Sequence, residues 1–239
     1  IKTRKNKENT TMEIRPVAHF RSPLKTKFGI PKQSGLAHSL KGSIVFEPEW
    51  RTPDAIRGID GFSYLWLIWG FSANKHEAAG TTVRPPVLGG NTRMGIWATR
   101  SPFRPNNLGL SSVKIEHIDW SDNDGPVIHV SGADLMDGTP IYDVKPYVPY
   151  ADAHPDARSG FTGADKIKRL EVSIPVEVRS DMGEEQCEAL TEVLSLDPRP
   201  QYHKDGSRIY GMEFEDRDIR FKIDSDTVEV VSAAKISKR

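Results

Sequence analysis

The segment FSYLWLIWGF, residues 62–71, contains the run YLWLIWGF, which is apolar on both faces of an extended chain. A strand with one face in water would alternate apolar and polar residues, and this run does not. We therefore expect it to be the central strand of a sheet that is closed or covered on both sides.

Short β-type segments surround this run and are bounded by Gly, Pro, Asp or Asn. They are GSIVF (42–46), MGIWAT (94–99), LSSVKIEHI (110–118) and PVIHVSG (126–132). One short helix is indicated, RTPDAIRGI (51–59), with Thr52 as N-cap and Pro53 at its first position. Strands without long helices between them favour a β-barrel over a doubly wound sheet.

The remainder of the chain is expected to form a small α+β domain. A stretch rich in Pro, Gly, Ala and Asp, YVPYADAHPDARSGFTGAD (147–165), indicates the boundary. We predict a disordered basic N-terminus over 1–11, a β-barrel domain over 12–153, a linker over 154–168 and the α+β domain over 169–239. The fold class is mainly β.

Sequence periodicity predicts the elements of this second domain. LEVSIPVEV (170–178) is a candidate strand, and DMGEEQCEALTEVLSL (181–196) a helix with Asp181 and Glu184 at capping-box spacing. The helical stripe predicted for its core is Cys187, Leu190, Val193 and Leu194. The strand positions predicted for the same core are Tyr210, Met212, Phe214, Ile219, Phe221, Ile223, Val228 and Val230.

Charge is balanced overall but not locally. Lys plus Arg and Asp plus Glu each number 33, yet residues 1–41 carry ten cations against two acids, and residues 78–115 five cations and no acid. Such local excess suits a polyanion that is contacted on one face. A single cysteine, Cys187, and an apolar run shorter than the about 20 residues of a membrane span indicate a soluble cytoplasmic protein.

The common catalytic and cofactor motifs are absent from the sequence. No GxGxxG follows a strand, and Walker A, HExxH and GxSxG patterns do not occur. The seven histidines are scattered without ligand spacing, so no metal site is expected.

Three unusual stretches remain. NTRMGIWATRSPFRPNNLGL (91–110) is either an anion-binding hairpin, since arginine makes forked bonds to carboxylate and phosphate, or a solvated basic loop. DLMDGTPIYDVKPYVPY (134–150) holds three carboxylates that are either turn formers or acceptors for ribose hydroxyls or an exocyclic amine. KFGIPKQSGLAHS (27–39) would suit a loop folding over a ligand.

Together these stretches resemble the TrmO family of S-adenosylmethionine-dependent tRNA N6-adenosine methyltransferases. The resemblance rests on KFGIPKQSGL, FSYLWLIWGF, TVRPPVLGGNTRMGIWATRSPFRPNNLGLS, DLMDGTPIYDVKPYVPYADA and DPRPQYHKDGSRIYG, in this order along roughly residues 12 to 225. It implies a β-barrel methyltransferase that modifies N6 of threonylcarbamoyladenosine at position 37, in the tRNA anticodon loop. It also implies a homodimer with the cofactor near the subunit boundary.

The same resemblance assigns residues to S-adenosylmethionine. They are Pro31, Lys32, Gln33, Ser72, Ala73, Arg100, Leu110, Asp134, Leu135, Met136, Asp137 and Gly138. The family often has Arg at the position of Lys32, and an ammonium does not replace a forked guanidinium contact equally. Arg100 would hold the carboxylate of the cofactor or that of the substrate's threonyl group.

Catalysis and substrate binding complete the expected site. Asp137 or Asp143 would accept a hydrogen bond from the N6 amine or a ribose, with Asp137 as the candidate base. The residues expected to meet the tRNA are Arg93, Arg104, Asn106, Lys145, Tyr147, Asp197, Arg199 and Tyr202. Two alternatives stay open: a noncatalytic RNA-binding barrel, and a methyltransferase acting on a small nucleotide or metabolite.

Overall fold

A closed antiparallel barrel forms the first lobe of the protein. The structure, a computed structural model, describes residues 12–74, 80–121, 125–163, 167–200 and 205–237. The strands in those ranges are β1 (Ala18–Arg21), β2 (Lys41–Phe46), β3 (Tyr64–Gly70), β4 (Thr82–Val83), β5 (Met94–Gly95), β6 (Leu108–Asp119), β7 (Val127–Ser131), β8 (Thr139–Pro146), β9 (Glu171–Ser173), β10 (Ile209–Phe214), β11 (Arg217–Asp224) and β12 (Thr227–Lys235). The barrel closes in the order β1-β2-β7-β6-β3-β8, which confirms the predicted mainly β fold.

Strand β3 lies between β6 and β8 in the closed barrel, with one apolar face buried in the interior and the other partly exposed on the outer surface. Leu65, Leu67 and Trp69 are buried in the barrel core. On the outer face, the ring centroid of Trp66 lies 5.5 Å from that of Tyr147, the residue after β8. The predicted central strand of a closed sheet is therefore confirmed.

The strand prediction differs from the structure at three places. Strands β1 and β8 were not expected, because β1 has only four residues and β8 contains Pro140 and Pro146, which weaken a strand pattern. MGIWAT was expected to be a strand throughout. Only its Met94–Gly95 part pairs, with β4, and Ile96–Ala98 forms a 3-10 turn.

The antiparallel order of the barrel brings three long connections to the same end. One links β1 to β2 (22–40), one links β3 to β6 (71–107) and one links β7 to β8 (132–138). In an antiparallel sheet, a strand ends at the edge where its neighbour begins. The unusual stretches of the sequence therefore meet at one rim of the barrel, which we call the upper rim.

The second lobe is a four-stranded sheet covered by helices. Its strand order is β10-β11-β12-β9, with β9 parallel to β12. The helices of the described residues are α1 (Pro149–Asp152), α2 (Val176–Met182) and α3 (Glu184–Ser195). Every alternating position predicted for this core, and the stripe on α3, is buried as expected. Among the described helices, none combines the length and hydropathy that a bilayer span requires.

Two local predictions for this lobe are wrong. The strand candidate extends only over β9, and its end, from Val176, is helical in α2. The capping box is not formed, because Gly183, with φ of 87°, separates α2 from α3 and is the N-cap of α3. Asp181 lies in α2, where its carboxylate accepts a hydrogen bond from the buried Arg217.

The connection between β1 and β2 contributes to the core of the second lobe. Leu24, Ala37 and Leu40 of this connection are buried in the hydrophobic cluster of the second lobe. Two hydrogen bonds add to the contact: Arg169 Nη2 donates to Leu36 O at 2.6 Å, and Ser39 N donates to Glu192 Oε2 at 2.7 Å. The two lobes are thus packed through the segment that also contributes to the upper rim.

Replacing Leu24 by Ala is expected to lower the free energy of unfolding by about 2–5 kcal/mol, because the side chain is fully buried between the lobes. The matched control is Ile209→Ala, at a position that is 57% exposed, with an expected change within about 0.5 kcal/mol. Denaturant unfolding measures both. An equal loss of unfolding free energy in the two variants would contradict the burial of Leu24 in this core.

Candidate functional site

The centre of the upper rim is a polar cluster that joins three separate stretches. Arg100 Nη1 donates to Gln33 Oε1 at 2.5 Å, and Ser111 Oγ donates to Asp134 Oδ1 at 2.5 Å. The Arg100 charge also acts on the Asp134 carboxylate. The structure therefore brings together Gln33, Arg100 and Asp134, which the sequence assigned to one site. The guanidinium of Arg100 is close enough to the Asp134 carboxylate for its charge to lower the pKa of that group.

Opposing effects act on the pKa of Asp134. Desolvation at this half-buried position raises the pKa above the ordinary value of an aspartate. The hydrogen bond from Ser111, the backbone N–H groups of Asp134 and Ser34, and the charge of Arg100 all lower it. The net shift is upward, so this carboxylate takes up a proton at higher pH than an exposed aspartate does.

Two residues of this cluster were not found from the sequence. Trp69 Nε1 donates to Ser111 Oγ at 2.9 Å, and both side chains are buried in the barrel interior. Gly109 pairs with Trp69 across β3 and β6, and a Cβ at Gly109 would lie 2.3 Å from the indole. The sequence does contain Gly109 two positions before Ser111. That spacing indicates a site for the Trp69 indole only when the register of β3 against β6 is known.

Asp137 is held by a different set of partners. Its Oδ1 accepts from Ser22 N at 2.9 Å, and its Oδ2 accepts from Lys25 Nζ at 2.8 Å. Its own N–H donates to Leu24 O, and Gly138, with φ of 74°, donates its N–H to Phe20 O. The turn after β7 is therefore tied to the end of β1, and Leu135 within it is buried.

A row of side chains crosses the outer face of the barrel just below the upper rim. Leu110 on β6 pairs with Ile68 on β3, which pairs with Asp143 on β8. Leu110 is 56% exposed, and Asp143 Oδ2 lies 3.0 Å from Lys145 Nζ. Tyr147 packs against aromatic rings on the same face. This row joins four residues of the expected site on the outer face, whereas Ser111 of the polar cluster is buried in the barrel interior.

The part of the basic stretch that precedes β6, residues 91–107, is called the arm. Arg104 Nη1 donates to Thr99 O at 2.7 Å and to Ile96 O at 3.3 Å, and its guanidinium lies 5.2 Å from the Trp97 ring centroid. These contacts fold the arm. Arg93 and Asn106 are exposed on it.

Near the polar cluster, the β1–β2 connection meets the second lobe. A cavity of about 150 Å³ is lined there by Lys27, Lys32, Asp197 and Arg199, among others. Arg199 Nε lies 3.0 Å from Asp197 Oδ1, and Asp197 has a φ of 53°. Of the other predicted residues, Pro31 is buried, Ser72, Ala73 and Met136 lie in the rim connections, and Tyr202 and residues 1–11 lie outside the described residues.

A larger cavity, of about 620 Å³, lies beside the barrel wall and shares one expected site residue, Asp137. It is lined by Arg21, Lys25, Lys41, Glu116, His117, His129 and Glu215, among others. The imidazoles of His117 and His129 are stacked at 4.2 Å. Among the described residues, no group of three His, Cys, Asp or Glu side chains is arranged to hold a metal ion.

Comparison with family models places both lobes in one family. Residues 19–153 match the model described as the tRNA-methyltransferase O N-terminal domain. Residues 167–236 match the TrmO C-terminal domain model. The two matches follow each other along the chain with a short gap.

Individual proteins are similar over most of their length. The chain is 35% identical over 229 residues to tRNA (adenine(37)-N6)-methyltransferase of Escherichia coli K12, with 92% of this chain and 97% of that protein covered. It is 35% identical over 224 residues to the putative S-adenosylmethionine-dependent methyltransferase RcsF of Pseudomonas aeruginosa PAO1, with 88% and 92% covered. A crystal structure of TrmO from Pseudomonas aeruginosa superposes with a TM-score of 0.74 at 29% identity, covering 94% of this chain and 100% of that one.

Replacing Gly109 by Ala is expected to destabilise the protein by about 1–3 kcal/mol, because the added methyl group would displace the Trp69 indole. Gly61→Ala is the control, since a Cβ there meets nothing within 4 Å. Thermal unfolding followed by tryptophan fluorescence measures the change. An unchanged unfolding midpoint for Gly109→Ala would show that the indole does not lie over β6.

Proposed function

Because the chain belongs to the tRNA-methyltransferase O family, we propose that it methylates N6 of the adenosine at position 37 of tRNA, with S-adenosylmethionine as cofactor. We further propose that this adenosine carries the threonylcarbamoyl group. The observation that supports the proposal most is the meeting of Gln33, Arg100 and Asp134 at the upper rim. Relatives named as S-adenosylmethionine-dependent methyltransferases support the choice of cofactor.

The side chains of the polar cluster fit this cofactor chemically. S-adenosylmethionine carries a carboxylate, an ammonium group, a ribose and, when bound, supplies an electrophilic methyl group on a positively charged sulfur. The cluster presents a guanidinium for an anion and a carboxylate for a cation or hydroxyl groups, beside the Gln33 amide. Exposed Leu110 precedes Ser111 on β6 and offers an apolar surface on the outer face of the barrel.

Arg100 is assigned to the carboxylate of the cofactor. Its Nη1 is oriented by Gln33, another cofactor residue, and its charge acts on Asp134. A guanidinium held at one nitrogen keeps further N–H groups for a forked bond. We therefore place Arg100 in cofactor binding.

Positioning is the main task of the catalytic residues. Methyl transfer needs the nucleophilic nitrogen in line behind the methyl carbon, and such alignment contributes about 7–11 kcal/mol. We assign Asp143 and Asp137 to accept hydrogen bonds that align the amine. Asp143, on the outer face of β8, is the more exposed of the two. Each is paired with a lysine, Asp143 with Lys145 and Asp137 with Lys25, and must release it to act as a base.

We propose a homodimer in which a second copy packs on Trp97 of the arm and on Leu110 of β6. Trp97 is 73% exposed and Leu110 is 56% exposed, and a partner subunit would remove these apolar surfaces from water. The cofactor would then lie near the subunit boundary, between the polar cluster and the partner.

The tRNA anticodon loop would cross the basic arm and the second lobe. Arg93 on the arm, and Lys32 with Arg199 at the smaller cavity, supply cations for phosphates. Lys145 and Tyr147 on the outer face are assigned to an unstacked base. In this proposal residues 12–153 catalyse, residues 169–239 help to hold the RNA, 154–168 link them, and the activity is cytoplasmic.

The purified protein is expected to form N6-methylated threonylcarbamoyladenosine in tRNA that already carries the threonylcarbamoyl group. Nucleoside mass spectrometry after incubation with isotopically labelled cofactor measures the product. In Arg100→Gln, the Kd for S-adenosylmethionine is expected to rise about tenfold or more, because a charged hydrogen bond is lost.

The other outcomes separate the rival functions. Cofactor binding with transfer only to free adenosine derivatives would identify a small-substrate methyltransferase. RNA binding without any cofactor binding would identify a noncatalytic barrel. Equal methylation of tRNA without the threonylcarbamoyl group would overturn the finer substrate assignment alone.

Binding to tRNA is expected to weaken steeply with salt, because cations that neutralise phosphates release counterions. Arg93→Gln is expected to reduce the slope of log K against log salt by about one. Arg220→Gln is the control, since Arg220 lies on β11 and is paired with Asp218. Filter binding between low and moderate ionic strength gives the slopes, and equal slopes for wild type and Arg93→Gln would remove Arg93 from the interface.

A further inference from the structure

We propose that Ser111 and Trp69 are positioning residues that hold the Asp134 carboxylate ready for the cofactor. Neither residue was assigned to the site by its sequence motif, and both are enclosed in the barrel, where Ser111 is 1% and Trp69 is 6% exposed. The inference rests on the proposed function, because it concerns how the same site binds S-adenosylmethionine.

The direction of the two hydrogen bonds follows from the chemistry of the groups. An indole N–H can only donate, so Trp69 Nε1 gives its hydrogen to Ser111 Oγ at 2.9 Å. The Ser111 hydroxyl hydrogen is then left for Asp134 Oδ1, which lies 2.5 Å away. A hydroxyl oriented in this way donates to the carboxylate and so favours its ionised form over the protonated one.

The position of the indole is itself constrained. Trp69 lies over Gly109, where a Cβ would come within 2.3 Å of the ring, and its centroid is 4.3 Å from that of Phe71. It also pairs with Ile141 on β8. Strand register therefore fixes the position of the Trp69 N–H, which orients the Ser111 hydroxyl. That hydroxyl in turn orients the Asp134 carboxylate.

The Asp134 carboxylate accepts hydrogen bonds from donors on three elements of the fold. Among the described residues, Arg100 on the β3–β6 connection acts on it through its charge. The neutral donors are Ser34 N–H on the β1–β2 connection, Asp134's own N–H and Ser111 on β6, with Trp69 on β3 behind Ser111. A carboxylate has about four acceptor positions, so it keeps capacity for an ammonium or hydroxyl group of the ligand.

The effect of Ser111 on the pKa of Asp134 can be measured, because it acts against the effect of desolvation. Desolvation raises the pKa of Asp134, and the Ser111 hydrogen bond is the largest of the effects that lower it. The ionised form exists above that pKa and is lost as the pH falls through it. Removing the hydroxyl must raise the pKa further, so any binding that needs the carboxylate is lost at a higher pH.

The test is cofactor binding as a function of pH, measured by calorimetry on the full-length protein without RNA. In Ser111→Ala, the Kd for S-adenosylmethionine is expected to rise about tenfold near neutral pH, and the acid limb of the binding curve to move to higher pH. Ser111→Thr keeps the hydroxyl and is expected to restore both. Trp69→Phe keeps the ring but not the donor, and is expected to move the limb in the same direction by a smaller amount.

Two matched controls exclude a general disturbance of the barrel. Ser112→Ala and Trp66→Phe make the same changes at neighbouring positions that pair with each other on the outer face. Both are expected to leave the acid limb in place. A purely structural role of Ser111 would lower the unfolding midpoint without moving the limb, and that result would overturn the proposal.

The remaining outcomes separate the role of Ser111 and Trp69 from the proposed function. If Ser111→Ala does not fold, Trp69→Phe decides, since an unmoved limb in that variant overturns the proposal and a moved one supports it. Wild type that binds cofactor and methylates tRNA, with no shift in any variant, overturns this inference and leaves the proposed function intact. Wild type that binds no cofactor overturns both.

Discussion

Pairing of β3 with β6 on one side and β8 on the other is the constraint on which the rest of the structure depends. It closes the barrel, which leaves no free sheet edge at this strand and buries its inner face, formed by Leu65, Leu67 and Trp69. The same pairing sets Trp69 opposite Gly109 and thereby brings the indole donor to Ser111. The register of β3 therefore determines both the closure of the barrel and the position of Trp69 beside Ser111.

A charge at the end of an apolar barrel is costly unless donors surround it. At Asp134 the compensation comes from Ser111, from backbone N–H groups and from the nearby Arg100, and it does not fully cancel desolvation, since the pKa stays raised. Burial and hydrogen bonding therefore act in opposite directions on the protonation of this carboxylate.

The β1–β2 connection couples the two lobes to the site. Its side chains Leu24 and Leu40 belong to the core of the second lobe, while Gln33 of the same connection contacts Arg100 in the upper rim. The smaller cavity, lined by both Lys32 and Arg199, lies at this junction.

By itself the sequence determined the closed sheet, from the two apolar faces of β3, and the core of the second lobe, from its alternation and the stripe on α3. It also indicated that Gln33, Arg100 and Asp134 act together, because their motifs occur in a family's order. It did not reveal β1, β8, the break at Gly183 or the contribution of Trp69 and Ser111. Those depend on which residues face each other across strands, and register is set by closure of the whole barrel, which no local pattern contains.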